Sequence, residues 1–227
     1  MIDPTTEAAA RTLIAQRCQR AYVHEIRGGL QALSGAFELL SRLAKNGDAD
    51  PVVADRATTI AKRALTNHEN AMLDIVRQIT AARDPAERVE LRAMLDDVLR
   101  FLHNDFEARQ IHTHLERGAP LFIEVPRNQL RFMLLGLLTD RLDRCAASSE
   151  VTISLASRDG GVVLDLQCAC GTTGVETGVE TGVETGSNPV LDLVQRWVEA
   201  QGGRFERLAD RPGRLALVLP EASTTAA

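Results

Sequence analysis

One histidine is set apart by its neighbours. His24-Glu25-Ile26-Arg27-Gly28-Gly29-Leu30 lies in a stretch whose apolar residues, Val23, Ile26, Leu30, Leu33, Phe37 and Leu40, recur at intervals of three and four. That spacing is the seam of a bundle helix. On such a helix Arg20, His24, Arg27, Gly28, Gln31 and Gly35 share a face beside the seam, so His24 is expected to stand in solvent. An imidazole nitrogen is a good nucleophile near neutral pH. Glu25 is placed to hydrogen-bond the ring, fix its tautomer and raise its basicity. Arg20 and Arg27, about one turn either side, are placed to offset phosphate charge. Gly28 and Gly35 cost a helix roughly 1 kcal/mol each relative to alanine, and they leave room for a partner's backbone. The chemistry these types suggest is acceptance of a phosphoryl group.

The elements that position His24 follow from pattern. Leu13 and Ile14 extend its helix upstream, and Asn46-Gly47-Asp48 stops it, with Gly47 a candidate left-handed cap. Pro51 suits the start of a second helix, which carries Val53, Ala57, Ile60, Ala64, Ala71, Ile75 and Ile79. Residues 1–84 therefore read as a helical hairpin. Two helices cannot bury a full seam, so the hairpin is expected to dimerise into a four-helix bundle.

From residue 85 strand and helix signals mix. Helices are expected over 91–102, 128–146 and 189–200. Strands are expected over 111–115, 122–125, 151–155, 162–166, 204–208 and 215–219. The fold class is α+β: the hairpin, then an α/β sandwich with helices on one sheet face. Residues 174–186 read GVETGVETGVETG, a repeat whose glycines oppose both helix and strand and suggest a surface loop.

Bulk properties exclude several function classes. Hydrophobic residues make up 44% but aromatics only 4%, so the core is aliphatic. A net charge of −5 argues against a nucleic-acid partner. No run approaches the ~18 apolar residues of a membrane span, and nothing reads as a signal peptide. The expectation is a cytoplasmic protein with Cys18, Cys145, Cys168 and Cys170 reduced.

His-Glu-Ile-Arg at residues 24–27, followed by Leu30-Gln31 and a long amphipathic helix, resembles the H-box of bacterial sensor histidine kinases. The hairpin is similar to their dimerisation and phosphotransfer domain. Residues 85–227 resemble their ATP-binding domain in order of elements, with 128–146 at the N-box helix, Gly202-Gly203 at a Gly-Gly turn and 215–220 at the closing strand. The departures carry the functional reading. Gly136 and Asp140 stand where the family's N-box has asparagines. Gln167-Cys168-Ala169-Cys170-Gly171-Thr172 lacks the Asp that reads adenine. The lid is replaced by the GVET repeats and Ser187-Asn188-Pro189. Losing those groups removes most of the electrostatic means of handling a triphosphate.

A degenerate ATP-binding-like domain behind such a hairpin resembles the stand-alone phosphotransferases of bacterial phosphorelays, notably the ChpT type. The resemblance implies a homodimer with His24, Glu25 and Arg27 as the transfer machinery. Receiver domains of response regulators would dock on Arg20, Gly28, Gln31, Ala32, Gly35 and Glu38, fed by an upstream hybrid histidine kinase. No cofactor is implied: magnesium would sit on the partner receiver, and ATP is not expected. A non-catalytic regulatory module that binds a kinase or regulator is the alternative. Where the kinase family often has Thr or Asn four residues after the histidine, to position a hydrolytic water, this chain has Gly28.

The remaining chemistry-bearing residues read more simply. His68 is expected to be a solvated residue of the second helix, and Asp140 a solvated residue of its own. His112 and His114 share a strand face without a third metal ligand. Cys168 and Cys170 are too closely spaced on one strand for a relaxed disulfide.

Overall fold

The computed structural model describes residues 4–46, 50–80, 85–158, 161–169, 188–207 and 214–222. The Gly47 cap, the GVET repeat and Cys170 lie outside the described residues, as do the side chains of Ala71, Ile75 and Ile79. The chain is α+β, with two N-terminal helices followed by a mixed sheet. It divides into two compact units: Gln19–Thr80, and Met1–Cys18 together with Ala81–Ala227.

The smaller unit holds most of α1 (Pro4–Asn46) and all of α2 (Pro51–Thr80). Asp50 starts α2 by accepting a hydrogen bond from the Val52 N–H at 2.9 Å, with Pro51 in the first helical position where no N–H is needed. Most of the buried side chains of this unit are small, Ala21, Ala36, Ala57 and Ala64, with Tyr22 a larger one. Gly29 adds to that seam, since a Cβ there would lie 3.7 Å from the Ala64 carbonyl oxygen. The single apolar stripe read from the sequence is split by this packing. Ile26, Leu33 and Leu40 are half-buried, whereas Val23, Leu30 and Phe37 remain 47%, 52% and 61% exposed. Alanine-lined contact brings the helices too close for every large side chain to fit between them.

The larger unit is built on a five-stranded sheet of order β2-β4-β5-β7-β6, formed by β2 (His112–Leu115), β4 (Glu150–Arg158), β5 (Gly161–Ala169), β6 (Arg204–Arg207) and β7 (Arg214–Pro220). Only β2 and β4 run parallel. Alternation along the strands sends Val151, Ile153, Val162, Leu164, Leu166, Leu215, Leu217 and Leu219 into the core, beneath α3 (Leu91–Ala108), α4 (Arg127–Arg144) and α5 (Pro189–Ala200). Gly202 closes α5 with φ of +76°, a conformation suited to glycine. Gly203 passes so near β7 that a Cβ would lie 2.3 Å from the Val218 carbonyl oxygen. A second, two-stranded sheet pairs β1 (Glu87–Glu90) with β3 (Phe122–Val125). Strand β1 is absent from the sequence reading, because Val89 is its only buried residue.

Helix α4 is apolar from Phe132 to Leu138 and buried from Phe132 to Leu142, as expected of a helix enclosed all round. One cover comes from the first turns of α1. Ala10, Ile14 and Cys18, spaced by four, are fully buried. Ile14 seats against Gly136, where an added Cβ would lie 3.0 Å from both Ile14 Cδ1 and Val190 Cγ1. Arg11 stacks over the Phe132 ring at 4.7 Å, and Arg17 Nε reaches Asp143 Oδ2 at 3.0 Å. Burial, reinforced by the Asp105 carboxylate, pushes the Cys18 thiol up to about 12, so this sulfur stays protonated and inert.

Residues 10–18 are thus part of the larger unit's core. Ile14→Ala is expected to destabilise that unit by about 2–4 kcal/mol. The drop would be read from the urea midpoint of Trp197 fluorescence, since the chain's one tryptophan is buried in α5. An unchanged midpoint would remove Ile14 from the core.

Candidate functional site

Helix α1 carries His24 through a straight helical stretch and leaves its ring exposed. Arg20, Glu25, Arg27, Gly28, Gln31, Gly35 and Glu38 are exposed as well, and Ala32 is half-buried. Glu38 pairs with Arg42 one turn on. A Cβ added at Gly28 or Gly35 would meet nothing within 4 Å, so neither glycine is required by packing inside the chain. Gly29 differs: it faces α2, where His68 Cβ lies 3.7 Å from the position of an added Cβ. His68 is therefore half-buried against α1 rather than solvated.

The larger unit brings together a cluster that the sequence reading missed. Asp140, expected to be solvated, is 1% exposed. Its Oδ2 accepts from Arg141 Nη2 at 2.7 Å. Its Oδ1 accepts from Arg144 Nε at 2.8 Å and from Asn188 Nδ2 at 2.6 Å. Asn188 in turn caps α5, its Oδ1 accepting from the Val190 and Leu191 N–H groups. The carboxylate is buried because two cations and an amide satisfy it. The signal lay in the adjacent Arg141 and in Arg144 four residues on, but the Asn188 contact spans 48 positions.

Other candidates separate. His112 and His114 are exposed on β2, and His103 Nε2 lies 3.2 Å from Glu107 Oε1. Among the described residues no group of three His, Cys, Asp or Glu side chains is placed to hold a metal ion, and no helix is long and apolar enough to cross a membrane. The expectation of four reduced cysteines is corrected. Cys145 and Cys168 are joined as a disulfide, with Cα atoms 6.7 Å apart. The cause is topological: Val151 pairs with Cys168 across the β4–β5 ladder, which returns the strand to the end of α4.

The catalytic domain of the histidine kinase ThkA superposes with a TM-score of 0.51 at 12% identity, covering 62% of this chain and all of that one. Over the 62% of the chain so covered, the fold is that of a histidine-kinase catalytic domain. The Acinetobacter baumannii histidine kinase AdeS is also similar (TM-score 0.49, 14% identity, 88% of this chain and 98% of that one). So is the ATP-binding domain of PrrB from Mycobacterium tuberculosis (TM-score 0.46, 22% identity, 62% and 100%). No protein-family model matches the sequence, and no curated protein matches it.

Within this kinase-type fold the glycines make opposite demands. Gly28→Ala is expected to stabilise the hairpin by about 0.5–1 kcal/mol, because the helical backbone is already suited to alanine and the space is open. Gly136→Ala is expected to destabilise by about 1–3 kcal/mol, because Ile14 and Val190 must move. Urea denaturation followed by circular dichroism and Trp197 fluorescence checks both. The same sign at the two positions would contradict this reading of their surroundings.

Proposed function

We propose that this protein is a histidine phosphotransfer protein of a bacterial two-component phosphorelay, similar to the ChpT type. In this reading residues 1–84 hold the dimerising phosphotransfer hairpin, whose first turns also serve the larger unit's core, and residues 85–227 form a kinase-type domain without kinase chemistry. The observation that carries it is the open flank of α1: an exposed imidazole on the same helix as two glycines where, among the described residues, an added Cβ would meet nothing.

The chemistry is reversible in-line transfer. A nitrogen of His24 attacks the phosphorus of a receiver's aspartyl phosphate. The N–P bond forms, the P–O bond to the aspartate breaks, and the carboxylate leaves. The reverse step, on a second receiver, regenerates the imidazole. Glu25 holds the ring's tautomer, while Arg27 and Arg20 balance the phosphoryl charge. Magnesium belongs to the receiver's acidic pocket. The receiver docks along Gly28, Gln31, Ala32, Gly35 and Glu38. Its phosphate originates from an upstream hybrid histidine kinase.

The exposed Val23, Leu30 and Phe37, seven residues apart, support a homodimer that closes the hairpin into a four-helix bundle. The kinase-type fold implies a nucleotide and its metal, and the residues present do not fit them. Ile14 and Val190 occupy the space at Gly136. Both Asp140 oxygens are taken by Arg141, Arg144 and Asn188, which leaves this carboxylate no need of a cation. Together with the missing adenine-reading Asp, this supports a role without ATP.

Incubation with a phosphorylated receiver is expected to place an acid-labile phosphoryl group on wild type and none on His24→Gln, while labelled ATP alone labels neither. Wild type that binds the regulator but never acquires label would instead identify a regulatory module. Labelling from ATP alone would identify a kinase.

Gly28 bears on the reverse traffic. With no side chain to hold a hydrolytic water, wild type is expected to transfer phosphate to a regulator but to dephosphorylate it slowly. Gly28→Asn is expected to speed that hydrolysis, followed as inorganic phosphate release. Rapid loss of regulator phosphate with wild type, without phospho-His24 accumulating, would refute this role.

A further inference from the structure

The cysteine pair of the larger unit has no part in the chemistry above, and its surroundings differ from those of the third described cysteine. Cys18 is wholly buried. Cys168 is half-exposed near the end of β5, while Cys145, at the C-terminal cap of α4, is buried. The bridge joins two features that are already held by backbone hydrogen bonds. The Cys145 N–H donates to the Arg141 carbonyl at 2.9 Å, and Cys168 sits in the β4–β5 ladder. Neither hydrogen bond needs the sulfurs to be joined.

The position is also mechanically sensitive. Asp140, five residues before Cys145, accepts from Arg144 and from Asn188, which caps α5. The end of α4 is thus tied to β5 by sulfur and to the start of α5 by the Asp140–Asn188 hydrogen bond.

We infer that Cys145 and Cys168 form a reversible thiol–disulfide site, oxidised by hydroperoxides, that clamps the end of α4 to β5. The accessible Cys168 sulfur attacks a peroxide oxygen. An S–O bond forms, the O–O bond breaks, and the departing hydroxide takes the Cys168 thiol proton and leaves as water. The Cys145 sulfur then attacks Cys168 Sγ. The S–S bond forms, the S–O bond breaks, and the hydroxide takes the Cys145 proton as a second water. Two thiols lose two electrons and the peroxide gains them. A thiol reductant reverses the step through the exposed Cys168. The buried, protonated Cys18 takes no part.

The test uses the full-length protein, reduced and then treated with hydrogen peroxide. Non-reducing peptide mapping is expected to show Cys145 linked to Cys168, with two of the four thiols lost and both recovered on reduction. Oxidation is expected to raise the thermal midpoint by about 5–10 °C. Hydrogen exchange should slow at residues 140–145 and at the start of α5. The reduced protein is expected to keep its native circular dichroism and Trp197 fluorescence. Cys170→Ser should behave as wild type, whereas Cys145→Ser and Cys168→Ser should lose the shift. Four results would overturn the inference: a Cys168–Cys170 link, a link between molecules, no thiol loss, or a reduced form that is unfolded. The wild-type mapping decides the matter even where a serine variant fails to fold.

Discussion

A buried carboxylate is tolerable only when its charge is answered, and Asp140 is the point on which the kinase-type unit turns. Arg141 and Arg144 supply charge from its own helix, and Asn188 supplies an amide from the start of α5. Removing one partner of such a cluster leaves a desolvated charge, typically a penalty of about 3–5 kcal/mol. The cluster therefore fixes where α5 begins relative to α4, and with it the layer of helices over the sheet. In a domain of this fold, a polar position at that depth can serve either an external ligand or the protein's own packing. Here its hydrogen-bonding capacity is spent inward.

The two units differ in how they reach stability. The larger closes its own core: α4 is surrounded, Ile14 fills the hollow at Gly136, and strand alternation delivers aliphatic residues under three helices. The smaller is built largely around alanines and a glycine, with Val23, Leu30 and Phe37 left exposed. The proposed chemistry uses the surface of this second unit. The open backbone at Gly28 and Gly35 is bought with helix propensity, which a purely structural hairpin has no reason to give up.

Much of this architecture was legible in the sequence, and the failures share a cause. The hairpin could be read because its heptads and Pro51 are local signals. The strands of the main sheet could be read because alternation at Val151–Leu155, Val162–Leu166 and Leu215–Leu219 is also local, but nothing local assigned Phe122–Val125 to a separate sheet with β1. The exposure of His24 followed from its place beside the seam. What escaped depends on partners distant in sequence. Strand β1 has only Val89 to announce it. Asp140 is buried by a residue 48 positions away. The Ala10–Ile14–Cys18 stripe looked like a mere extension of α1, because nothing local says that Gly136 will leave a hollow for it. Cys145 and Cys168 looked scattered until the β4–β5 ladder brought them together.

The alanine-lined interior of the hairpin has a thermodynamic corollary. Val23, Leu30 and Phe37 leave hydrocarbon in water when α1 and α2 close on each other. In the proposed dimer that surface would be covered, and mass action would then stabilise the hairpin in proportion to the concentration of its partner.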